Sequence, residues 1–477
     1  MKHILFTNSH ECSVAILIKD GGLRKSEMNQ YYVEPLKTQG VTDIIAFNLS
    51  YEGKKCSVKH AKSHLADLMP ELKACGVKHI YVTDGTYFKQ LTKEKKTTPH
   101  YGYTLPCALD GYEEMDVTIG GNWQACYHND TMQDTIDLTL KTLAGKINGN
   151  HVELGTGIIH TSVYLKEANA IRDVLTTLHQ YPLLTLDIEA FSLDFWKAGI
   201  GTFAFSWDEH NGVAALCDWV GYLKPIVYKD GTTHYGKQRI NGPVRQVLLE
   251  FLLSYKGRII YHNGSYDVKV LIYELFMIDL RDTAGLLEGL EALGNNIHDT
   301  KIIVYLATNN TGGNTLGLKP NAHEFAGNYA ENDVHDIRRI PEANLLQYNL
   351  VDCLSTFYVF KKYHPIMVAD TQLQIYNDIM IPSVKVLLQI ELTGMPMNMD
   401  EILRAQKEME GYRTQFHRII ANLPTIHKFV DHLRQVESDK CHEKWKKKTE
   451  TIDHFDYVKF NPASNLQLQD LIYTQLD

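Results

Sequence analysis

Two carboxylates close the apolar run of PLLTLDIEAFSL, residues 182–193: Asp187 and Glu189, one residue apart. Alternate residues of a strand face the same side of a sheet, so the pair shares one face and Ile188 turns to the other. Like charges this close repel, and burial sharpens the repulsion. A compensating cation relieves it, and carboxylate oxygens are hard ligands that suit Mg2+ or Mn2+. Asp-x-Glu is also common in solvated turns, so the pair alone does not make a metal site.

More carboxylates stand downstream where elements end. In IIYHNGSYDVKVLI (259–272) a strand ends, a turn follows, and Asp267 falls in the first turn of a helix held down by Val268, Leu271 and Ile272. A helix N-terminus favours an acid for dipole reasons alone. In LLQYNLVDCLSTFYVF (345–360) Tyr348 and Asp352 are four residues apart and share a helix face. Leu346, Leu350, Leu354 and Phe357 supply that helix with an apolar stripe. Four carboxylates complement two divalent ions. Such ions, about 4 Å apart, neutralise both the attacking and the leaving oxygen in phosphodiester hydrolysis.

The elements that must position these groups are legible in outline. The 477 residues allow two to four domains, and 44% apolar with 22% charged residues is a soluble globular composition. A net charge of −9 argues against coating nucleic acid through bulk positive charge, but leaves room for a local basic groove. Eight cysteines without a C-x-x-C pair read as reduced thiols in a cytoplasm-like compartment. The opening MKHILFTNSHECSVAIL is broken by polar residues too early for a secretory leader, and no apolar run reaches the length of a membrane span.

To about residue 160 the chain has a βαβ rhythm: strands at 43–49 and 79–85 flank a helix at 58–76 stopped by Gly76. The basic segment KQLTKEKKTTPHYGY (89–103), with Tyr101 and Tyr103, reads as a solvated loop or a contact to a DNA backbone. A turn-rich boundary lies at 146–157. A helix at 166–180 precedes the Asp187 strand, and further strands at 199–207, 212–219 and 258–264 make a mixed sheet with helices around it. From residue 371 the pattern turns helical, at 372–394 and 400–423. The five lysines of KCHEKWKKK (440–448) read as a solvated face or a phosphate contact.

The three motifs in this order resemble those of the 3′→5′ exonuclease of family A DNA polymerases: Asp187-Ile-Glu189, Asn263-Gly-Ser-Tyr266-Asp267 and Tyr348-Asn-Leu-Val-Asp352. The flanks agree. DIEAFSLD matches the first motif and its sequel, and HDTKIIVYL (298–306) the Asp-Thr stretch between the second and third. IELTGMPMN (390–398) is similar to the opening of the polymerase portion, and FNPASNLQLQDLIY (460–473) to the base of the thumb. The resemblance covers about residues 166 to 477. It implies an α/β fold: an RNase H-like (DnaQ-like) exonuclease domain at 166–370, an N-terminal α/β domain at 1–160, and a helical, thumb-like segment at 371–477. It implies two Mg2+ or Mn2+ ions. Asp187 would bridge them, Glu189 and Asp352 would complete the site of the attacking water, and Asp267 would hold the second ion through water. Tyr348 would orient the nucleophilic water, since position 347 is Gln rather than the His that related enzymes place five residues before the last Asp. Leu193 would pack on the 3′-terminal base, with Asn263 and Tyr266 near the unpaired end. The implied partner is a DNA 3′ end, single-stranded or frayed, in proofreading.

The sequence also departs from that family. It stops at Asp477, and the Asp-Tyr-Ser…Glu, fingers-helix and His-Asp-Glu motifs of palm and fingers are absent from it. The expectation is a chain that does not polymerise by itself, the first half of a split phage polymerase in the host cytoplasm whose palm and fingers lie on a second polypeptide. An idle DNA-binding scaffold subunit and a nuclease of RNA 3′ ends are the rivals. Within 1–160, VTDGTYFK and VTIGGNWQACYHN look faintly like the uracil-DNA-glycosylase-related domain of some phage polymerases. No glycosylase acid and His pair stands out, so a structural or DNA-contact role is expected there.

Overall fold

Continuous apolar runs, rather than alternating ones, mark strands that are buried on both faces. VAILIK, IIAFNL, HIYV and DVTI are such runs, and all four lie inside one sheet. The computed structural model describes residues 2–7, 11–53, 56–129, 131–219, 226–227, 233–234, 242–308, 315–329, 336–444 and 451–475. They form two compact units, Met1–Thr393 and Gly394–Asp477.

The first unit holds two six-stranded sheets. The N-terminal sheet comprises β1 (His3–Leu5), β2 (Val14–Lys19), β3 (Ile44–Leu49), β4 (His79–Val82), β5 (Thr104–Pro106) and β6 (Asp116–Ile119). Its order is β1-β3-β2-β4-β6-β5, with the four central strands parallel and the two edges antiparallel. The helix Val58–Ala74 packs Leu65, Leu68 and Leu72 on one face, and Thr131–Asn148 packs Ile136, Leu140 and Leu143 on the other. The βαβ expectation is met, and Gly76 ends the first helix at φ +76°.

The second sheet comprises β7 (Thr161–Leu165), β8 (Leu183–Glu189), β9 (Thr202–Ser206), β10 (Asn211–Leu216), β13 (Arg258–Tyr261) and β14 (Ile297–Asp299); β11 (Ile226–Val227) and β12 (Thr233–His234) pair only with each other. The order β14-β13-β8-β9-β10-β7 puts β8 at the centre, parallel to β13 and antiparallel to β9. One face carries Leu184, Leu186, Ile188, Phe203 and Phe205 into a core with helices Ala168–Leu178 and Gly242–Ser254. The other presents Ala204 and Ala214, paired in register. Against them lies the helix Glu342–Ala369, with Leu346, Leu350, Cys353 and Leu354. Two small residues let that helix come close: the Cys353 thiol donates to the Ala204 carbonyl at 3.1 Å. The edge strand β7 was not anticipated from sequence; only Val163 and Leu165 of its five residues pack on the core, too short an alternation to mark a strand.

The expected helix at 372–394 is one run with a π-turn at Tyr376–Met380. Pro382 follows the turn without an amide hydrogen to continue the regular ladder. In the second unit the helices Met399–Ala421, Pro424–Lys444 and Asn465–Asp470 surround a small core of Ile426, Phe429 and Leu471. Residues 445–448 of the lysine-rich segment lie outside the described residues. All eight cysteines are free, and no described helix is long and apolar enough to cross a membrane.

A buried ion triad ties the sheet to its helices. Arg245 is 5% exposed; its Nε donates to Asp218 Oδ1 at 3.0 Å and its Nη1 to Glu274 Oε2 at 2.7 Å. Asp218 also accepts from the Ile200 amide at 2.9 Å, which fixes the chain entering β9. Removing the cation strands two buried carboxylates. Arg245→Leu is therefore expected to cost about 3–5 kcal/mol, read as a lowered urea midpoint. A change under about 1 kcal/mol, the surface-pair range, would contradict the role given to the triad.

Candidate active site

The sheet delivers Asp187 and Glu189 where β8 ends, opposite Ala204 and Thr202 of β9. Both are half-buried and on one face, while Ile188 packs into the core behind. The helix Glu342–Ala369 lays the buried Asp352 beside them. One carboxylate oxygen from each of Asp187, Glu189 and Asp352 lies within 4.8 Å of the others. Asp267 comes from the first turn of the helix Ser265–Leu275, and its Oδ1 accepts from the Ile188 amide at 3.3 Å. Of the neighbouring charges, that of Asp267 acts most strongly on Asp187. Three of the four carboxylates expected from sequence thus share one spot, and Asp267 lies beside them, close enough for its charge to act on Asp187 and Glu189.

Neutral donors hold them. Asn349 Nδ2 donates to Asp187 Oδ2 at 2.6 Å, and Thr202 Oγ1 donates to Asn349 Oδ1 at 3.0 Å, which fixes the amide's orientation. The Tyr329 hydroxyl donates to Asp352 Oδ1. Tyr348 lies against the cluster, and its hydroxyl oxygen accepts from Lys319 Nζ at 2.7 Å. The ammonium sits 5.0 Å from the Tyr348 ring centroid.

The turn that carries Asp267 is fastened separately. Asn263 adopts φ +60°, a left-handed conformation that Asn tolerates. The Asn263 and Gly264 amides donate to the Asp299 carboxylate at 3.2 and 2.9 Å. A Cβ on Gly264 would come within 2.5 Å of the Tyr261 Cβ, so the close approach demands glycine. Asp299 is in turn pinned through its own amide, which donates to the buried Tyr376 hydroxyl at 3.1 Å.

The residues expected to meet a strand end occupy the rim. Leu193 is 91% exposed. The Tyr266 hydroxyl donates to the Ser192 carbonyl at 2.5 Å, holding the loop that bears Leu193. The Asn263 side chain accepts from Lys301 Nζ at 3.1 Å.

Burial pushes every member of the cluster toward the neutral acid, and repulsion from neighbouring carboxylates adds to it at Asp187, Glu189 and Asp267. Asp187 lies well above the ordinary carboxylate range, through burial first and then Asp267, Asp352 and Glu189. Glu189 is pushed up to about 8 by burial and by Asp352 and Asp267. Asp267 rises to about 7 through burial, against the pull of backbone amides. Burial also raises Asp352. The Lys319 charge works the other way on Glu189 and Asp352. Burial and the Asp352 charge keep the Tyr348 phenol protonated. Hard oxygens, crowded and short of positive charge, are the donor set of a divalent metal site.

Sequence reading missed Asn349, Thr202, Lys319, Tyr329 and the anchoring role of Asp299. Asn349 adjoins Tyr348, and Asp299 stands in a stretch already singled out, so both had a signal. Lys319 and Tyr329 reach the site from the helix Leu318–Ala326 and the turn after it, and no spacing relates them to the carboxylates.

No protein-family model matches the chain, and no curated protein matches it significantly. Among solved structures it is similar to Brucella melitensis NrnC bound to pGG, at 15% identity over 49% of this chain and 94% of that one, TM-score 0.33. It is similar to Escherichia coli RNase D, an exoribonuclease involved in structured RNA processing, at 14% identity over 49% and 51%, TM-score 0.31. It is also similar to the POL domain of Pol1 from M. smegmatis in complex with DNA primer-template and dNTP, at 12% identity over 66% and 41%, TM-score 0.36. At such TM-scores the likenesses carry no argument about this chain.

The raised carboxylates give the metal-free fold a definite pH dependence. The folded chain keeps protons that unfolded Glu and Asp, at 4.5 and 3.8, have released. Between those values and about 8 the native state binds more protons than the unfolded one, so stability falls as pH rises. In EDTA, urea midpoints are expected to be lower at about pH 8.5 than at about pH 5.5. Glu189→Gln/Asp267→Asn should narrow the gap, and Mg2+ should restore the midpoint chiefly at the higher pH. A gap equally wide in the variant would contradict the assignment to these groups.

Proposed function

We propose that this chain is a metal-dependent 3′→5′ exonuclease that releases 5′-mononucleotides from a DNA 3′ end and serves as the proofreading part of family A DNA synthesis. The observation that carries the reading is the convergence of Asp187, Glu189 and Asp352 on one spot, with Asp267 and Tyr348 beside it. The order of the three motifs and their flanks supports DNA over RNA. The segments 390–398 and 460–473 support an association with a polymerase.

Asp187, Glu189, Asp352 and Asp267 would hold Mg2+ or Mn2+, and divalent ions bound there would supply the positive charge that activates a water and stabilises the leaving oxygen. The chain's own residues do the rest. Asn349 and Tyr329 fix the Asp187 and Asp352 carboxylates before substrate arrives. Lys319 donates to the Tyr348 oxygen and fixes its place, while burial and the Asp352 charge keep the phenol protonated; in the complex that proton would turn from Asp352 to the nucleophilic water. Exposed Leu193 offers an apolar surface to the terminal base, and the Tyr266 hydroxyl steadies its loop. A frayed end is trimmed faster than a paired one, because unpairing a mismatch costs less.

The test is release of labelled mononucleotide from a 3′-labelled single-stranded DNA in Mg2+, with RNA of the same sequence beside it. Wild type is expected to degrade the DNA, and Asp187→Ala/Glu189→Ala to be inactive. Tyr348→Phe is expected to lower kcat about 100-fold. No release by wild type, or equal release by the double variant, would overturn the proposal. Faster release from RNA would reassign the substrate.

A further inference from the structure

A cleft of about 930 Å3 lies between the N-terminal sheet's loops and the nuclease half of the same unit. On one wall are Lys93, Lys95 and Lys96, with His100 and Tyr101; on the other are Lys319 and Tyr329. The second pair joins the cleft to the active site, since Lys319 donates to Tyr348 and Tyr329 donates to Asp352. A strand end held at the carboxylates would thus have its preceding nucleotides beside this cleft.

The walls are fastened to each other. His323 Nε2 is 2.6 Å from the Tyr101 carbonyl, and Asn328 Nδ2 donates to the Pro99 carbonyl at 2.6 Å. The Asn328 amide donates to the Tyr103 hydroxyl at 3.2 Å. The basic segment is therefore docked on the element that carries Lys319.

Two of the cleft's acids share one lysine, and the third faces a histidine ring. Lys362 lies 3.1 Å from Asp134 and 2.5 Å from Glu324, and Glu94 lies 3.4 Å from His100. Lys93, Lys95 and Lys96 are exposed, and none forms an ion pair among the described residues. Lys93 also ends the helix Gly85–Thr92 at φ +61°, a left-handed position where glycine is the favourable residue. A lysine there gives up stability and contributes a charge.

We infer that this cleft binds the phosphate backbone of the single strand that leads to the exonuclease site, with Lys93, Lys95 and Lys96 on the phosphates. His100 and Tyr101 are the aromatic surfaces for its bases, the combination that single-strand grooves use. The N-terminal sheet thereby becomes part of the substrate site rather than a separate module. This rests on the exonuclease reading of the carboxylate site.

The probes are fluorescein-labelled dT12 and rU12, measured by anisotropy across a salt series in the Asp187→Ala/Glu189→Ala background, where no strand is consumed. Lys93→Gly/Lys95→Ala/Lys96→Ala is expected to weaken dT12 binding at least tenfold near 0.1 M salt. It should flatten the slope of log affinity against log salt by about 2, from three contacts at about 0.7 each. An equal loss for rU12 would assign the contact to phosphate alone, and a smaller one to DNA geometry. Lys93→Gly alone should bind more weakly while melting at a higher temperature, which a folding defect cannot produce. If the triple variant is poorly folded, Lys95→Ala/Lys96→Ala carries the same test. Unchanged affinity and slope would overturn the inference. Loss of nucleotide release by wild type with strand binding intact would instead overturn the exonuclease reading.

Discussion

Four carboxylates crowded into one pocket cost free energy that, among the described residues, the positive charge of Lys319 relieves only in part. Arg245 shows the alternative, a buried guanidinium that answers two carboxylates directly. At Asp187, Glu189, Asp267 and Asp352 the donors are instead an amide, a phenol and a backbone N–H, which orient carboxylates without neutralising them. Lys319 bears on Glu189 and Asp352 but spends its hydrogen bond on Tyr348. Much of the surrounding architecture serves to keep this unfavourable arrangement in place.

Each supporting element has a local reason. The antiparallel pairing of β8 and β9 sets Glu189 opposite Thr202, which fixes Asn349, which fixes Asp187. Ala204 and Ala214 leave room for the helix that carries both Asn349 and Asp352. Asp299 ties down the left-handed Asn263 and hence the start of the Asp267 helix. Disturbing any of these should move a carboxylate without touching it.

Local spacing paired some of the candidate residues in the sequence, but only the order of the three motifs joined those pairs and Asp267 into one candidate site. Asp187 and Glu189 share a strand face, and Tyr348 and Asp352 share a helix face. The central strands were legible as apolar runs. Lys319 and Tyr329 were not, because they are brought in by tertiary packing from a segment with no periodic relation to the motifs. The strand Thr161–Leu165 escaped for another reason: at the sheet edge only Val163 and Leu165 turn to the core, and two alternating residues are too few to mark a strand. The basic segment 93–96 was visible, but its neighbours were not, so a solvated loop and a phosphate contact read alike.

That the carboxylate cluster is built to be completed by divalent cations is tested most directly by calorimetric titration of the metal-free chain with Mn2+ at about pH 7, in two buffers of different ionisation enthalpy. Groups held partly protonated must lose protons when a cation binds. The expected result is saturable binding with release of about one proton or more per cluster, and none of it in Asp187→Ala/Glu189→Ala. Binding without proton release, or equal binding to the double variant, would contradict it.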